Sequence, residues 1–326
     1  MKKMNIRVAS LLLFLSAATT SCLKDDSLTL DLDKTNSVTE FANSGDIATM
    51  PSGDAGPRYN IDLGTLSPGD TTSFWLNVDY AGHDKAPQDI QVTIDVDPSA
   101  LTTYNTEHAV DNANYVAPPA GLVGASFPLT VTIPRGELFG HLNIPIKMPA
   151  SGFDFGANYA LPLKITATSV GTVSKNFGTV LYSLVARNAY DGVYSVVSGE
   201  VIRYAAPGVP LNDALSGSLA GNPDVYLVSA GSTSMQIPIS GASNGALFWA
   251  FGNNSKVAGI DGTIVTVDPA TNQVTMSCTG NATLSNWDGH DNYYDPETQT
   301  FHLAFIWNPT SSTRTYEVVL KYKKAR

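Results

Sequence analysis

The stretch Asn286-Trp287-Asp288-Gly289-His290-Asp291-Asn292-Tyr293-Tyr294-Asp295 is the richest mixture of aromatic and polar side chains in the chain. Sugar recognition needs both kinds. A flat ring covers the C–H side of a pyranose, and carboxylates, amides or imidazoles bond its hydroxyls, because apolar contact alone orients a ligand poorly. In that reading Trp287 and Tyr293 or Tyr294 stack on sugar, while Asp288, His290 and Asp291 bind hydroxyls. The stretch lies between two strand-like segments, where binding residues concentrate. The competing reading is a hairpin loop whose rings cover the end of a barrel, with their polar edges wet. Asp288, Asp291 and Asp295 with Asn292 also offer oxygen ligands for calcium. Their spacing departs from the EF-hand order, which wants acids or amides at alternate positions and a glutamate at the twelfth. No metal and no cofactor are expected.

Other chemistry-bearing patterns carry less. Gly241-Ala242-Ser243-Asn244-Gly245 matches the G-x-S-x-G string of serine hydrolases. That string works on a strand-to-helix elbow, and here strand-like residues 246–251 follow it. The five histidines (His83, His108, His141, His290, His302) show no H-E-x-x-H spacing for zinc. With only Cys22 and Cys278 present, a cysteine-based metal site is excluded by count. Cys278 ends an alternating segment and reads as a small buried residue. A pair of glycosidase carboxylates meets only in the fold, and nothing in the spacing marks one. The chain therefore reads as a binding protein and not an enzyme. Trp75, Trp249 and Trp307 each stand inside an alternating strand and are expected in cores, and Tyr190, Tyr194 and Tyr204 are expected as barrel structure.

The elements that must position these side chains are strands. Ile90, Val92, Ile94 and Val96 keep strict period two. Residues 59–63, 73–80, 129–134, 141–149, 159–169 and 177–186 give further strands, and 98–105 a helical turn capped by Asp97 with Pro98 at its first position. Residues 190–199, 201–204, 224–229, 234–239, 246–251, 263–268, 273–278, 300–307 and 315–322 follow, with Gly, Asn, Asp and Pro between them. No long 3.6-residue apolar stripe appears. The fold class is all-β: an immunoglobulin-like β-sandwich followed by an antiparallel, lipocalin-like β-barrel or a second sandwich.

The chain has 326 residues, 15% of them charged, and a formal net charge of −10. That balance argues against nucleic acid, which attracts basic patches. Its start is different: Lys2, Lys3 and Arg7 precede an apolar run from Val8 to Leu15, and small residues lead into Cys22. This is the layout of a secretory leader, too short to span a bilayer. Thr20-Ser21-Cys22 resembles the lipobox of bacterial lipoproteins, which implies acylation of Cys22 and removal of residues 1–21. Lys24-Asp25-Asp26 resembles the signal that sends Bacteroidota lipoproteins to the outer face of the outer membrane.

Four further motifs stand in order: Leu101-Thr102-Thr103-Tyr104-Asn105 after Asp97-Pro98, Tyr115-Val116-Ala117-Pro118-Pro119, Val131-Thr132-Ile133-Pro134-Arg135-Gly136-Glu137 and Tyr159-Ala160-Leu161-Pro162-Leu163-Lys164-Ile165. In order and spacing they resemble a Bacteroidota domain of unknown function found after lipid anchors and sometimes ahead of glycoside-hydrolase family 18 modules. The resemblance implies an immunoglobulin-like spacer or accessory module, and residues 294–307 with 314–321 resemble the β module that often follows it.

The expected organisation is a signal peptide (1–21), a lipidated tether (22–34), a sandwich (35–187) and a barrel or sandwich (188–326). The expected role is a lipid-anchored outer-membrane protein, facing the cell exterior, that binds oligo- or polysaccharide for a polysaccharide-utilisation system. Its expected partners are membrane lipid through Cys22 and an outer-membrane transporter or other envelope protein. An adhesin or structural envelope protein is the alternative.

Overall fold

In the computed structural model the described residues are 37–326 apart from 43–46, 83, 112–113, 212, 214–215, 221, 239–259, 261 and 311. The leader, Cys22, the 241–245 string, Trp249 and the strand expected at 246–251 fall outside them.

The first part of the chain forms β1 (Val38–Phe41), β2 (Ile47–Thr49), β3 (Arg58–Thr65), β4 (Thr71–Ala81), β5 (Ile90–Val96), helix α1 (Pro98–Glu107), β6 (Tyr115–Val116), β7 (Leu129–Ile133), β8 (Phe139–Lys147), β9 (Asn158–Thr168), β10 (Thr172–Val173) and β11 (Thr179–Arg187). They pair as two sheets, β10-β1-β4-β8 and β2-β3-β11-β9-β5-β7, with β6 added beside β9. Alternation explains the packing. In β5, Ile90, Val92 and Ile94 point inward and are fully buried, opposite Leu76, Val78 and Ile144 of the other sheet. Each such side chain contributes about 1.5–3 kcal/mol through removal from water. Tyr182 fills the centre, with the rings of Phe74, Tyr59 and Phe41 at 5.4, 5.6 and 6.3 Å. The helix starts where the sequence places it. Asp97 Oδ1 accepts the Ser99 N–H at 3.1 Å, and Pro98 takes the first position, where no N–H is needed.

One expectation is overturned here. Trp75 is 58% exposed and not in the core. The phase of β4 decides it: Phe74, Leu76 and Val78 face inward, so Trp75 shares the outer face with Asn77 and Asp79.

The remainder forms β12 (Gly192–Ala206), β13 (Val209–Pro210), β14 (Gly217–Ser218), β15 (Val225–Ser229), β16 (Ser234–Gln236), β17 (Thr263–Val267), β18 (Val274–Cys278), β19 (Ser285–Asn286), β20 (Tyr293–Asp295), β21 (Thr300–Trp307) and β22 (Arg314–Lys324). The strand order β18-β17-β16-β15-β12-β22-β21-β19 is an up-and-down meander in which the first long strand, β12, bonds the last, β22. Its interior is packed with Tyr194, Phe301, Phe305, Trp307 and Tyr316, as the alternation of β21 and β22 requires. Cys278 is buried in the same cluster.

The seam of the barrel lies between β18 and the β19–β20 segment. Two asparagines work there as pieces of strand. Asn286 Oδ1 accepts the Met276 N–H and its Nδ2 donates to Val274 O, both at 2.7 Å. Asn292 O accepts the Val274 N–H at 3.0 Å, and Asn272 O accepts the Tyr294 N–H at 2.9 Å. These bonds satisfy the edges that an open sheet would leave bare.

The connection between the two parts is anchored in the barrel. Asn188 Nδ2 donates to Gly231 O and Ser234 O, and Asp191 Oδ2 accepts from the backbone and hydroxyl of Ser229 at 2.7 and 2.9 Å. Arg326 Nε reaches the same carboxylate at 3.3 Å. Among the described residues, no helix is long and apolar enough to cross a membrane.

Candidate functional site on the outer barrel wall

A cleft of about 440 Å³ opens on the outer face of the barrel. Its floor is made by three adjacent strands, β12, β22 and β21, and its wall by the residues entering β20. Period two sets the floor chemistry. Tyr316, Val318 and Leu320 face the core, so Glu317 and Val319 face out, and in β21 His302 and Ala304 face out between Phe301, Leu303 and Phe305. Register then aligns them in rows: Glu200 opposite Glu317 opposite Ala304, and Ser198 opposite Val319 opposite His302. Two carboxylates directly opposite on neighbouring strands repel each other, so the fold gains nothing from this pairing and holds it at a cost.

Gly199 lets β12 approach. A Cβ there would stand 2.5 Å from Glu317 O and 2.9 Å from Leu219 Cδ1. Nothing larger than hydrogen fits between these strands.

The wall holds two ring pairs. His290 stacks on Trp287 with centroids 3.6 Å apart and planes 15° apart, and its Nδ1 bonds Glu317. Tyr293 stacks on His302 at 4.4 Å and 9°, its register partner across the β20–β21 ladder. Asn292 holds this wall to the floor. Its Nδ2 donates to Ala304 O at 2.7 Å and its Oδ1 accepts the Ala304 N–H at 2.8 Å. Trp287 N–H donates to the same carbonyl at 3.0 Å.

Of the residues expected from sequence, His290, Asp291 and Tyr293 line the cleft. Trp287 backs it through His290, and Asp288 is exposed at the adjoining turn. Tyr294 does not join them. It is 8% exposed and packs against Phe301 at 4.7 Å and Tyr190 at 5.1 Å, because the residue after an outward Tyr293 must point inward. Burial raises the pKa of its hydroxyl. Asp295 closes a turn, accepting from Thr298 Oγ1 at 2.6 Å and Glu297 N–H at 2.9 Å, with the Thr298 bond holding its carboxyl below the usual carboxylate range. Among the described residues no group of three or more His, Cys, Asp or Glu is placed to hold a metal ion. Sequence reasoning missed Ser198, Glu200, His302 and Glu317. They come from strands far apart in the chain, and the only signal for them is their outward phase.

The cleft can therefore offer flat rings and a set of acceptors without a lysine or arginine among its lining residues. Such a surface takes hydrogen bonds from hydroxyl groups and repels anions.

Residues 41–172, which run from the end of β1 into β10, match a family model described as "-like, N-terminal domain". A Bacteroides ovatus protein of unknown function superposes with a TM-score of 0.51 at 12% identity, over 89% of this chain and 95% of that one. The fold is one found in a Bacteroides protein of unknown function. A multidomain protein including DUF1735 from the same species is 17% identical over 86% of this chain and 93% of that one, with a TM-score of 0.49. An auxiliary nutrient binding protein from Bacteroides thetaiotaomicron is 16% identical over 85% and 94%, also with a TM-score of 0.49. At 12% identity the first of these likenesses shows the fold alone. No curated protein matches the chain.

Proposed function

We propose that the protein is a surface lipoprotein that binds an uncharged glycan in the barrel cleft and serves polysaccharide capture without cleaving it. The observation that carries this reading is convergence. His290, Asp291 and Tyr293, marked out by residue type alone, come together with His302, Glu200 and Glu317 in one open cleft that holds carboxylates, imidazoles and a tyrosine face. Carboxylates accept bonds from sugar hydroxyls, and the Tyr293 ring offers a face for a pyranose. The acidic lining selects against uronic acids and sulfated polymers at this site.

The anchor is the second half of the proposal. Acylation of Cys22 with removal of residues 1–21 would attach the chain to the outer membrane, and several acyl chains hold far better than one. Mass spectrometry of the protein from a Bacteroidota host is expected to find a lipid-modified Cys22 at the new amino terminus, and protease treatment of intact cells to remove the protein. An unmodified thiol or a protected protein would contradict the anchor.

Binding is tested by affinity electrophoresis in gels containing neutral polysaccharides. Retardation on at least one polymer, reduced in Trp287→Ala and in Tyr293→Ala, is expected. No retardation on any polymer would sink the glycan reading, and release of oligosaccharide from the polymer would replace binding with hydrolysis.

A further inference from the structure

We infer that a separate pocket on the sandwich, at the end of α1, binds a hydroxy acid of acidic-sugar size. Its volume is about 330 Å³, and the residues that matter are Thr49, Arg58, Tyr104, His108, Asp111 and Tyr115. Tyr104 and Tyr115 belong to motifs that gave this part of the chain its family resemblance, and the barrel cleft makes no use of them.

Arg58 is the centre of the pocket. Its guanidinium lies over the Tyr115 ring at 5.3 Å. Nε donates to Tyr104 Oη at 3.0 Å, one Nη to Asn60 Oδ1 and the other to Thr49 Oγ1 at 3.3 Å. A guanidinium has five N–H donors, so these three bonds leave about two unspent. Among the described residues no carboxylate pairs with Arg58. In a chain of net charge −10, a partly buried arginine held by neutral groups alone is an unfilled demand for a carboxylate.

Thr49 adds a donor. Its Oγ1 accepts from Tyr104 Oη at 3.0 Å as well as from Arg58, so its own proton is left for a further acceptor.

His108 adds the opposite requirement. Its ring stacks on Tyr104 at 4.4 Å, and Nδ1 bonds Asp111 at 3.4 Å. In the neutral ring the proton sits on Nδ1, facing the Asp111 carboxylate, so Nε2 carries a lone pair. That Nε2 is buried and has no hydrogen-bond partner. It asks for a donor, which a bare anion such as sulfate or acetate at neutral pH does not supply and a sugar hydroxyl does. A ligand with a carboxylate for Arg58 and Thr49 and a hydroxyl for His108 meets all three demands. A uronic acid has both groups on one ring. This inference does not depend on the barrel cleft, whose lining suits uncharged sugars.

The test is calorimetric titration of the full chain at pH 7.5 with sodium glucuronate, and with glucose, acetate and sulfate in parallel. Glucuronate is expected to bind, with the other three about tenfold or more weaker: glucose loses a charged hydrogen bond of about 1.5–3 kcal/mol, and acetate or sulfate leaves the buried Nε2 unsatisfied at about 1–3 kcal/mol. Arg58→Met should weaken glucuronate at least about tenfold for the same reason. His108→Phe keeps the stack on Tyr104 and removes Nε2, so it should reduce the preference for glucuronate over acetate. It also decides the matter should Arg58→Met fail to fold. Glucuronate binding that neither variant weakens, sulfate binding as tight as glucuronate, or no binding of any of the four would overturn the inference.

Discussion

Asn292→Ala is the perturbation that best exposes how the barrel and its cleft are joined. The side chain is 5% exposed and makes two bonds to one residue, donating to Ala304 O at 2.7 Å and accepting the Ala304 N–H at 2.8 Å. The carbonyl keeps a second partner, the Trp287 N–H at 3.0 Å. The Ala304 N–H loses its partner and is left unpaired behind the wall. Two net hydrogen bonds of about 1 kcal/mol each, with the desolvation cost of the orphaned donor, give a loss of about 2–4 kcal/mol. For a unit of this size, with a urea slope of about 1–3 kcal/mol per molar, the midpoint should fall by about 1–2 M. The two parts need separate probes, because a single transition is not assured in a chain with two cores. Fluorotryptophan labelling with 19F NMR supplies them: Trp307, buried in the barrel, and Trp75, exposed on the sandwich, give their own signals. The Trp307 transition is expected to move and the Trp75 transition to stay. A barrel midpoint displaced by less than about 0.3 M, or both transitions displaced together, would refute this account of Asn292.

Three further outcomes follow from the same geometry. Gly199→Val puts side-chain atoms where even a Cβ would be 2.5 Å from Glu317 O, so it should part β12 from β22, lower the thermal midpoint and abolish glycan retardation; an unchanged midpoint would contradict the close approach. Asp79, desolvated by burial and close to Glu40, has its pKa raised to about 6. Its acid form is favoured in the folded chain, so its contribution is fully present below the unfolded value near 3.8 and is lost as pH rises through about 6. Unfolding followed from pH 4 to 7 should therefore show a decline that Asp79→Asn flattens, and an identical slope in the variant would count against it. Trp75→Ala removes an exposed ring, so stability should change by less than about 0.5 kcal/mol, and a loss of several kcal/mol would return Trp75 to the core.

Much of the architecture was legible because period two is a strong signal over long strands. Ile90, Val92 and Ile94 in β5 gave both the strand and its buried face, and Asp97-Pro98 gave the start of α1. Phase was harder than period. Trp75 stands in an alternating strand, yet Phe74, Leu76 and Val78 had already claimed the inner face, so the tryptophan had to be outside. The same rule separates the two tyrosines of the candidate site, since adjacent residues of a strand cannot both face out. The loop itself was found from its residue types. Its partners were not, because Glu200, His302 and Glu317 become neighbours only through the closure of β12 on β22 and the hairpin of β21 with β22. The role of Asn286 and Asn292 as substitute strand was equally hidden: an asparagine in a loop looks the same whether it meets a sugar or a backbone.

Hydrogen exchange of the full chain with and without a neutral oligosaccharide chosen from the retarding polymers tests the central claim most directly. Protection is expected at residues 287–293, 302–304 and 317–319, the wall and floor of the cleft. Protection confined to the outer sandwich sheet around Trp75 and Phe139, with the barrel unchanged, would show that the glycan lies elsewhere and that the cleft is only the closure of a barrel.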